Sequence, residues 1–209
     1  MEIDYSVFLK IGETLIQDKE NIESTNVEHV IDVFIEISKN SHIKYEYDKE
    51  RKSLICDRIL HTPFKYSFNY GFVPNTLSED KDPLDVIVLI DEELIPGCYI
   101  KCKILGYLET SDDEGNDPKL IACPITKVDP SYKLINDIYN VEAHSLNKIK
   151  YFFEHYKDLE NKRVNVGTFK NKEEAFNVYN ESINRYKLSA SSISYENHKN
   201  KITKYFPIS

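Results

Sequence analysis

At 209 residues, 41% of them hydrophobic, the chain suits one domain, or one domain with extensions, built on a sizeable core. Its formal net charge of −8, from 35 acidic and 27 basic side chains, excludes a general nucleic-acid binder, which carries a basic excess, but still allows an anionic substrate held through metal ions. Cys56, Cys98, Cys102 and Cys123 lack CxxC or zinc spacing and lie in or beside apolar stretches, so buried free thiols are expected; with no leader and no membrane-length apolar run, the expectation is a soluble, cytoplasmic protein.

Residues 1 to about 28 are mixed: Val7, Phe8, Leu9 and Ile11 suggest a short strand or helix, and 18–26 reads as loop. The pattern sharpens at Val30. Residues 30–37 are rich in β-branched and aromatic side chains and predict a strand. Asn40 and Ser41 predict a turn. Residues 43–47 alternate, with Lys44 and Glu46 on one face and Tyr45 and Tyr47 on the other, and 54–60 predict a third strand. Glu36, Lys44, Glu46 and Arg58 fall among apolar neighbours; taken alone they read as the wet face of a half-exposed sheet. Residues 66–76 are aromatic-rich and contain Gly71 and Pro74, which predicts an irregular loop whose tyrosines pack as core or offer hydroxyls to a ligand.

Next comes Ser78-Glu79-Asp80-Lys81-Asp82-Pro83-Leu84-Asp85, and then the aliphatic run 86–90. The run predicts a buried strand. Pro83 biases Asp82 away from the helical region, so the preceding segment is expected to be extended or turned, and in an extended chain Asp80 and Asp82 point the same way. Clustered aspartates repel one another unless a cation lies between them, and hard oxygen donors at the mouth of a strand suit Mg²⁺ or Mn²⁺. The bland alternative is a solvated acidic turn ahead of a core strand. A calcium loop of the EF-hand kind is excluded, because its glycine and glutamate positions hold Asp85 and Asp91 and Pro83 interrupts it.

After a turn at Ile95-Pro96-Gly97, residues 99–108 predict a strand, 110–118 an acidic hairpin loop in which Gly115 supplies positive φ, and 119–124 the returning strand. Such a tip is solvated unless it folds against the aspartate segment. Ile149, Phe152, Phe153 and Tyr156 recur at helical spacing within 146–159. Residues 162–166 suggest a short strand. Asn171 with Glu174 predicts the capped start of a last helix, whose stripe runs from Ala175 to Tyr186, and 188–209 read as a loose tail. About six strands followed by two helices predict an antiparallel barrel or sheet with helices on one side.

In order and near-regular spacing, the chain carries Ile35-Glu36-Ile37, Ile43-Lys44-Tyr45-Glu46, Asp57-Arg58, Asn69-Tyr70-Gly71, Asp80-x-Asp82-Pro83-x-Asp85, the segment from Asp112 to Lys119, and Phe152-Phe153-Glu154-His155-Tyr156-Lys157-Asp158-Leu159. In these segments it resembles the soluble, Mg²⁺-dependent inorganic pyrophosphatases of family I, from about Val30 to Tyr186. The resemblance implies a mainly β fold with α, an OB-like five-stranded barrel with helices packed against it, and hydrolysis of diphosphate to two phosphates. It implies a single domain over 1–209, with a catalytic core at about 30–186, an N-terminal extension 1–29 and a tail 187–209. Carried over position by position, Asp80, Asp85 and Asp117 hold the tight metal, with Asp85 bridging to a second. Asp112 joins Asp117 on a metal that arrives with substrate, and Glu36 serves an outer ion. Asp82 takes the proton of the attacking water; Lys44, Arg58, Tyr70, Lys119, Tyr156 and Lys157 bind phosphate; Glu46 and Tyr66 line the site. Several Mg²⁺ ions, with Mn²⁺ as a substitute, are implied, as are inorganic pyrophosphate as substrate and a homo-oligomer, a hexamer before a dimer or trimer. The competing readings are a non-catalytic OB-type binding module and a nucleotide phosphohydrolase. Three departures stand out: Lys81 where the family often has glycine, Ser67 for a usual proline, and a Glu36–Lys44 spacing one residue short of the common bacterial pattern.

Overall fold

The computed structural model describes residues 29–112, 115–160 and 162–205. The expectations for Val7 to Ile11, for 18–26, for Asp113 and Glu114 at the hairpin tip and for Phe206 and Pro207 lie outside the described residues.

Nine strands and two α-helices are described: β1 Val30–Ile37, β2 Ile43–Asp48, β3 Ser53–Ile59, β4 Asn69–Phe72, β5 Asp85–Val88, β6 Tyr99–Asp112, β7 Gly115–Asn116, β8 Lys119–Pro124, α1 Ala143–His155, β9 Asn165–Lys170 and α2 Lys172–Tyr205. Five strands close on themselves in the order β1, β4, β5, β8, β6, with β6 pairing back to β1. This is the OB-like five-stranded barrel, and closure leaves the ring no open edge. The β2–β3 hairpin forms a separate sheet, while β7 and β9 attach to the long β6.

The ring is held by two apolar clusters, one for each face of its strands. Ile31, Val33, Ile35, Val86, Val88, Leu120 and Ala122 form one, on which Phe176, Val178 and Tyr179 of α2 pack. Ile87 and Ile121, the alternate residues, join Phe68, Tyr70 and the α1 stripe Ile149, Phe152, Phe153 and Tyr156 in the other. The Glu142 carboxylate caps α1 by accepting from His144 and Ser145 N–H. The box predicted for α2 is present: Asn171 Oδ1 accepts from Glu174 N at 2.9 Å, and Glu174 Oε2 accepts from Asn171 N at 3.2 Å.

Several expectations need correction. Residues 69–72 are not irregular loop but β4, because Gly71 lets β1 approach: a Cβ there would lie 1.8 Å from the Phe34 carbonyl oxygen. The pairing is not wholly antiparallel, since β5 and β8 run parallel with Val86 opposite Leu120. The strand expected at 162–166 is Asn165–Lys170 and lies between the helices. The last helix does not stop near Tyr186 but continues to Tyr205, with no glycine or proline between Lys172 and Tyr205 to break it. Cys56 is exposed on the free hairpin, whereas Cys102 and Cys123 are buried.

The aspartate segment is a turn. Ser78 N donates to Asp82 O at 2.7 Å, Asp82 N donates to Asp80 Oδ1 at 3.0 Å, and Lys81 between them has φ 76°. That left-handed conformation costs an L-residue roughly 1–2 kcal/mol that glycine does not incur, less the extra chain entropy glycine loses on folding. Lys81→Gly should therefore raise stability by about 0.5–1 kcal/mol, read as a higher urea midpoint at unchanged slope. Equal midpoints would mean that the turn holds Lys81 without strain.

Candidate active site

Two arms meet at one rim of the barrel because β5 and β8 start side by side. Asp85 opens β5 and Lys119 opens β8, in parallel register. The Lys119 ammonium contacts both Asp85 Oδ2 and Asp117 Oδ2. Tyr70 on β4 donates its hydroxyl to Asp85 Oδ2 at 2.6 Å. The acidic hairpin thus folds against the aspartate turn, and Asn116 Nδ2 adds a bond to Glu79 Oε2 at 3.1 Å.

The electrostatics show how crowded the anions are. Burial pushes Asp117 up, helped by Asp85 and Asp80 and opposed by Lys119. Asp80 is raised by burial and by Asp82 and Asp85, against the Asp82 N–H. Glu36, 8% exposed and bonded by Tyr47 N–H at 2.7 Å, is pushed up to about 8 by burial and then by Asp85. Burial works against the Lys119 charge, but Asp85 and Asp117 outweigh it and hold the ammonium firmly protonated. Glu36 is therefore not on a wet sheet face; it is buried beside the carboxylates.

Cations face these anions. The β2–β3 register sets Lys44 opposite Arg58. Lys44 contacts Glu46 at 2.5 Å and Asp57 at 3.7 Å. Lys157 meets Asp112 at 3.8 Å and stands 5.4 Å from the centre of the Tyr156 ring. Its pKa is lowered by burial and by the fields of Lys44, Arg58 and Lys119, against Asp112. Burial raises the Tyr66, Tyr70 and Tyr156 hydroxyls and keeps them neutral. Tyr66 packs against Tyr70 with centroids 5.8 Å apart. Asp82 is exposed at the lip of the turn, and Lys81, also exposed, makes no ion pair among the described residues.

Of the residues that the sequence nominates, direct contacts join Tyr70, Asp85, Asp117 and Lys119 to one another, Lys157 to Asp112, Lys44 to Glu46, and the Asp82 N–H to Asp80. Among the described residues, no three histidine, cysteine, aspartate or glutamate side chains are already drawn around one point as metal ligands would be. Lys119 supplies the positive charge between Asp85 and Asp117 instead. The donor set is oxygen-only, rich in carboxylate and mutually repelling, which fits a hard divalent cation.

Two residues escape sequence reasoning. Asp57 accepts from Arg58 Nη1 at 2.6 Å, and Glu160 accepts from Arg58 Nε at 3.1 Å. Asp57 adjoins Arg58 and is a visible signal; Glu160 lies 102 residues away, on the 3₁₀ turn Asp158–Glu160, and sends none.

The state of Glu36 has a consequence for stability. Its carboxyl holds a proton in the fold up to about pH 8 but releases it near 4.5 when unfolded. Between these values the native state binds more protons, so stability falls as pH rises through the window. Glu36→Gln lacks this slope. Without divalent ions it should melt at least about 3 °C above the parent at pH 8 and level with it near pH 4.5. Parallel melting curves at both pH values would show that Glu36 is already ionised in the fold.

A family model described as inorganic pyrophosphatase matches residues 33–187. The chain is similar to the inorganic pyrophosphatase of Helicobacter pylori, 49% identical over 170 residues, which cover 79% of this chain and 98% of that one. It is 48% identical over 158 residues to the inorganic pyrophosphatase of Saccharolobus solfataricus, covering 75% of this chain and 92% of that one. Among solved structures, the H. pylori enzyme superposes with TM-score 0.75 at 48% identity, over 78% of this chain and 96% of that one. The Thermus thermophilus inorganic pyrophosphatase superposes with TM-score 0.73 at 35% identity, over 76% and 91%.

Proposed function

Because the chain belongs to the inorganic pyrophosphatase family and is a diphosphatase that splits inorganic diphosphate into two phosphates, we propose that the rim carrying Asp85, Asp117 and Lys119 is its active site and that Mg²⁺ is the divalent metal the family requires. The carrying observation is the convergence of the two acidic arms on the Lys119 ammonium, with Lys44, Arg58 and Lys157 facing them. Asp80, Asp85 and Asp117 would hold the tightly bound ion, with Asp112 and Glu36 serving further ions. Such ions, when bound, offset the negative charge of diphosphate and make water a better acid.

The rest falls to side chains. Diphosphate repels an incoming nucleophile, so positive charge must stand where negative charge gathers in the transition state. Arg58 offers a planar fork to phosphate oxygens, and Lys44, Lys119 and Lys157 act as point charges. Tyr70 and Tyr156, neutral and buried, donate hydroxyl protons without adding charge. Glu46 and Tyr66 line the space. Asp82, exposed at the lip, accepts the proton of the attacking water. One catalytic domain, with its core at about 30–186, carries all of these groups.

Phosphate release from pyrophosphate and from ATP, with Mg²⁺, with Mn²⁺ and with a chelator, tests this reading. Release from pyrophosphate should require the divalent ion and exceed release from ATP at least about a hundredfold, a ratio that follows if the two phosphates and their ions fill the site. Comparable release from ATP would favour a nucleotide phosphohydrolase, and none from either would favour a binding module. No helix among the described residues is long and apolar enough to cross a membrane. We further propose a cytoplasmic homo-oligomer, a hexamer before a dimer or trimer, on the compact length of the core; sedimentation gives the mass directly.

A further inference from the structure

We infer that Glu160 is a positioning residue for Arg58, tying the guanidinium to the Tyr156–Lys157 segment so that its fork meets phosphate in a fixed pose. This rests on the reading of Arg58 as a phosphate binder. The Glu160 side chain is only 6% exposed and accepts from Arg58 Nε at 3.1 Å. A buried carboxylate is costly unless paired, and Arg58 is the cation that pairs with it. On its other side, Glu160 N donates to Lys157 O at 2.8 Å. Glu160 therefore links the β2–β3 hairpin, a separate sheet, to the end of α1, where Tyr156 and Lys157 lie.

The geometry divides the guanidinium among three tasks. Nε goes to Glu160 and one Nη1 proton goes to Asp57 at 2.6 Å, which leaves Nη2 and the second Nη1 proton to fork onto phosphate. Asp57 also faces Lys44 at 3.7 Å, so it balances the cation pair that the hairpin register sets side by side. Asp57 travels with Arg58 on β3 and cannot fix the hairpin against the helix; Glu160 can. Removing its charge lets Arg58 sample poses that miss the phosphate. The loss falls on substrate binding, since Arg58 grips phosphate before and during the reaction.

The test is steady-state kinetics on the full chain with Mg²⁺ and pyrophosphate, for Glu160→Gln, Glu160→Asp, Arg58→Lys and the double variant Arg58→Lys/Glu160→Gln. Gln is nearly isosteric, and Asp keeps the charge but retracts it by one methylene, so the pair guards against a folding failure in either. Each should raise KM about tenfold with kcat changed less than about threefold, the size expected for one bond to a charged group. Lysine has no Nε–H of the arginine kind, so Glu160→Gln should add nothing in the Arg58→Lys background. Multiplying effects would overturn the inference by showing that Glu160 acts independently of Arg58. Unchanged KM in both Glu160 variants, with KM raised in Arg58→Lys, would overturn it while sparing Arg58. Unchanged KM in Arg58→Lys would overturn the reading of Arg58 itself.

Discussion

Asp82→Asn is expected to lower kcat by about 10²–10⁴-fold, the range for loss of a general base, while KM, the fold and affinity for divalent ions change little. Asp82 contributes to the architecture through its backbone, with its N–H on Asp80 Oδ1 at 3.0 Å and its carbonyl on Ser78 N at 2.7 Å. Asparagine keeps both bonds. The side chain is exposed, so it can lose its charge without leaving a buried group unpaired. Asp85 offers no such clean separation, since Tyr70 and Lys119 both rest on its Oδ2. Stopped-time phosphate release on Asp82→Asn, alongside a melting curve with and without Mg²⁺, decides the matter. A kcat within tenfold of the parent would take the base role away from Asp82.

Gly71→Ala should be the most damaging glycine-to-alanine change among the described residues. A Cβ at Gly71 would stand 1.8 Å from Phe34 O and 3.0 Å from Ile35 Cα, both backbone atoms of β1. No side chain can swing away to make room. The pairs Phe34 with Phe72 and Ile35 with Gly71 would have to part, and the ring closes through them. Overpacking of a core costs about 1–3 kcal/mol and more when backbone must move. About 3 kcal/mol or more is therefore expected, with a melting point lowered by about 6–12 °C for a chain of this size. Tyr70 would shift too, and with it the hydroxyl on Asp85, so activity should fall below what the folded fraction accounts for. A parent-like melting point would mean that β1 and β4 lie farther apart than the structure places them.

What could be read from the residues, and what could not, follows from the range of the interactions. The stripe Ile149, Phe152, Phe153, Tyr156 and the box Asn171–Glu174 are local, and both are found as expected. The segments that carry the site are also local patterns, which is why the arms could be named from the chain alone. The direction of β5 relative to β8 could not, since an aliphatic run such as 86–90 packs equally well either way until its neighbours are known. Gly71 beside Pro74 looks like loop chemistry, and only the proximity of Phe34 shows that the glycine serves a strand. Glu36 alternates with apolar residues as a solvated position would, yet the β2 hairpin covers it through Tyr47. Glu160 is a long-range partner with no pattern of its own.

The shared starting edge of β5 and β8 has a further consequence, for a chain still being synthesised. The aspartate turn leaves the ribosome first, while Lys119, the counter-charge of Asp85, follows 34 residues later. Between them lies β6, which pairs with both β1 and β8 in the closed ring. Until Lys119 is made, Asp85 is without that counter-charge and the ring stays open, because β8, which joins β5 to β6, begins at Lys119 itself.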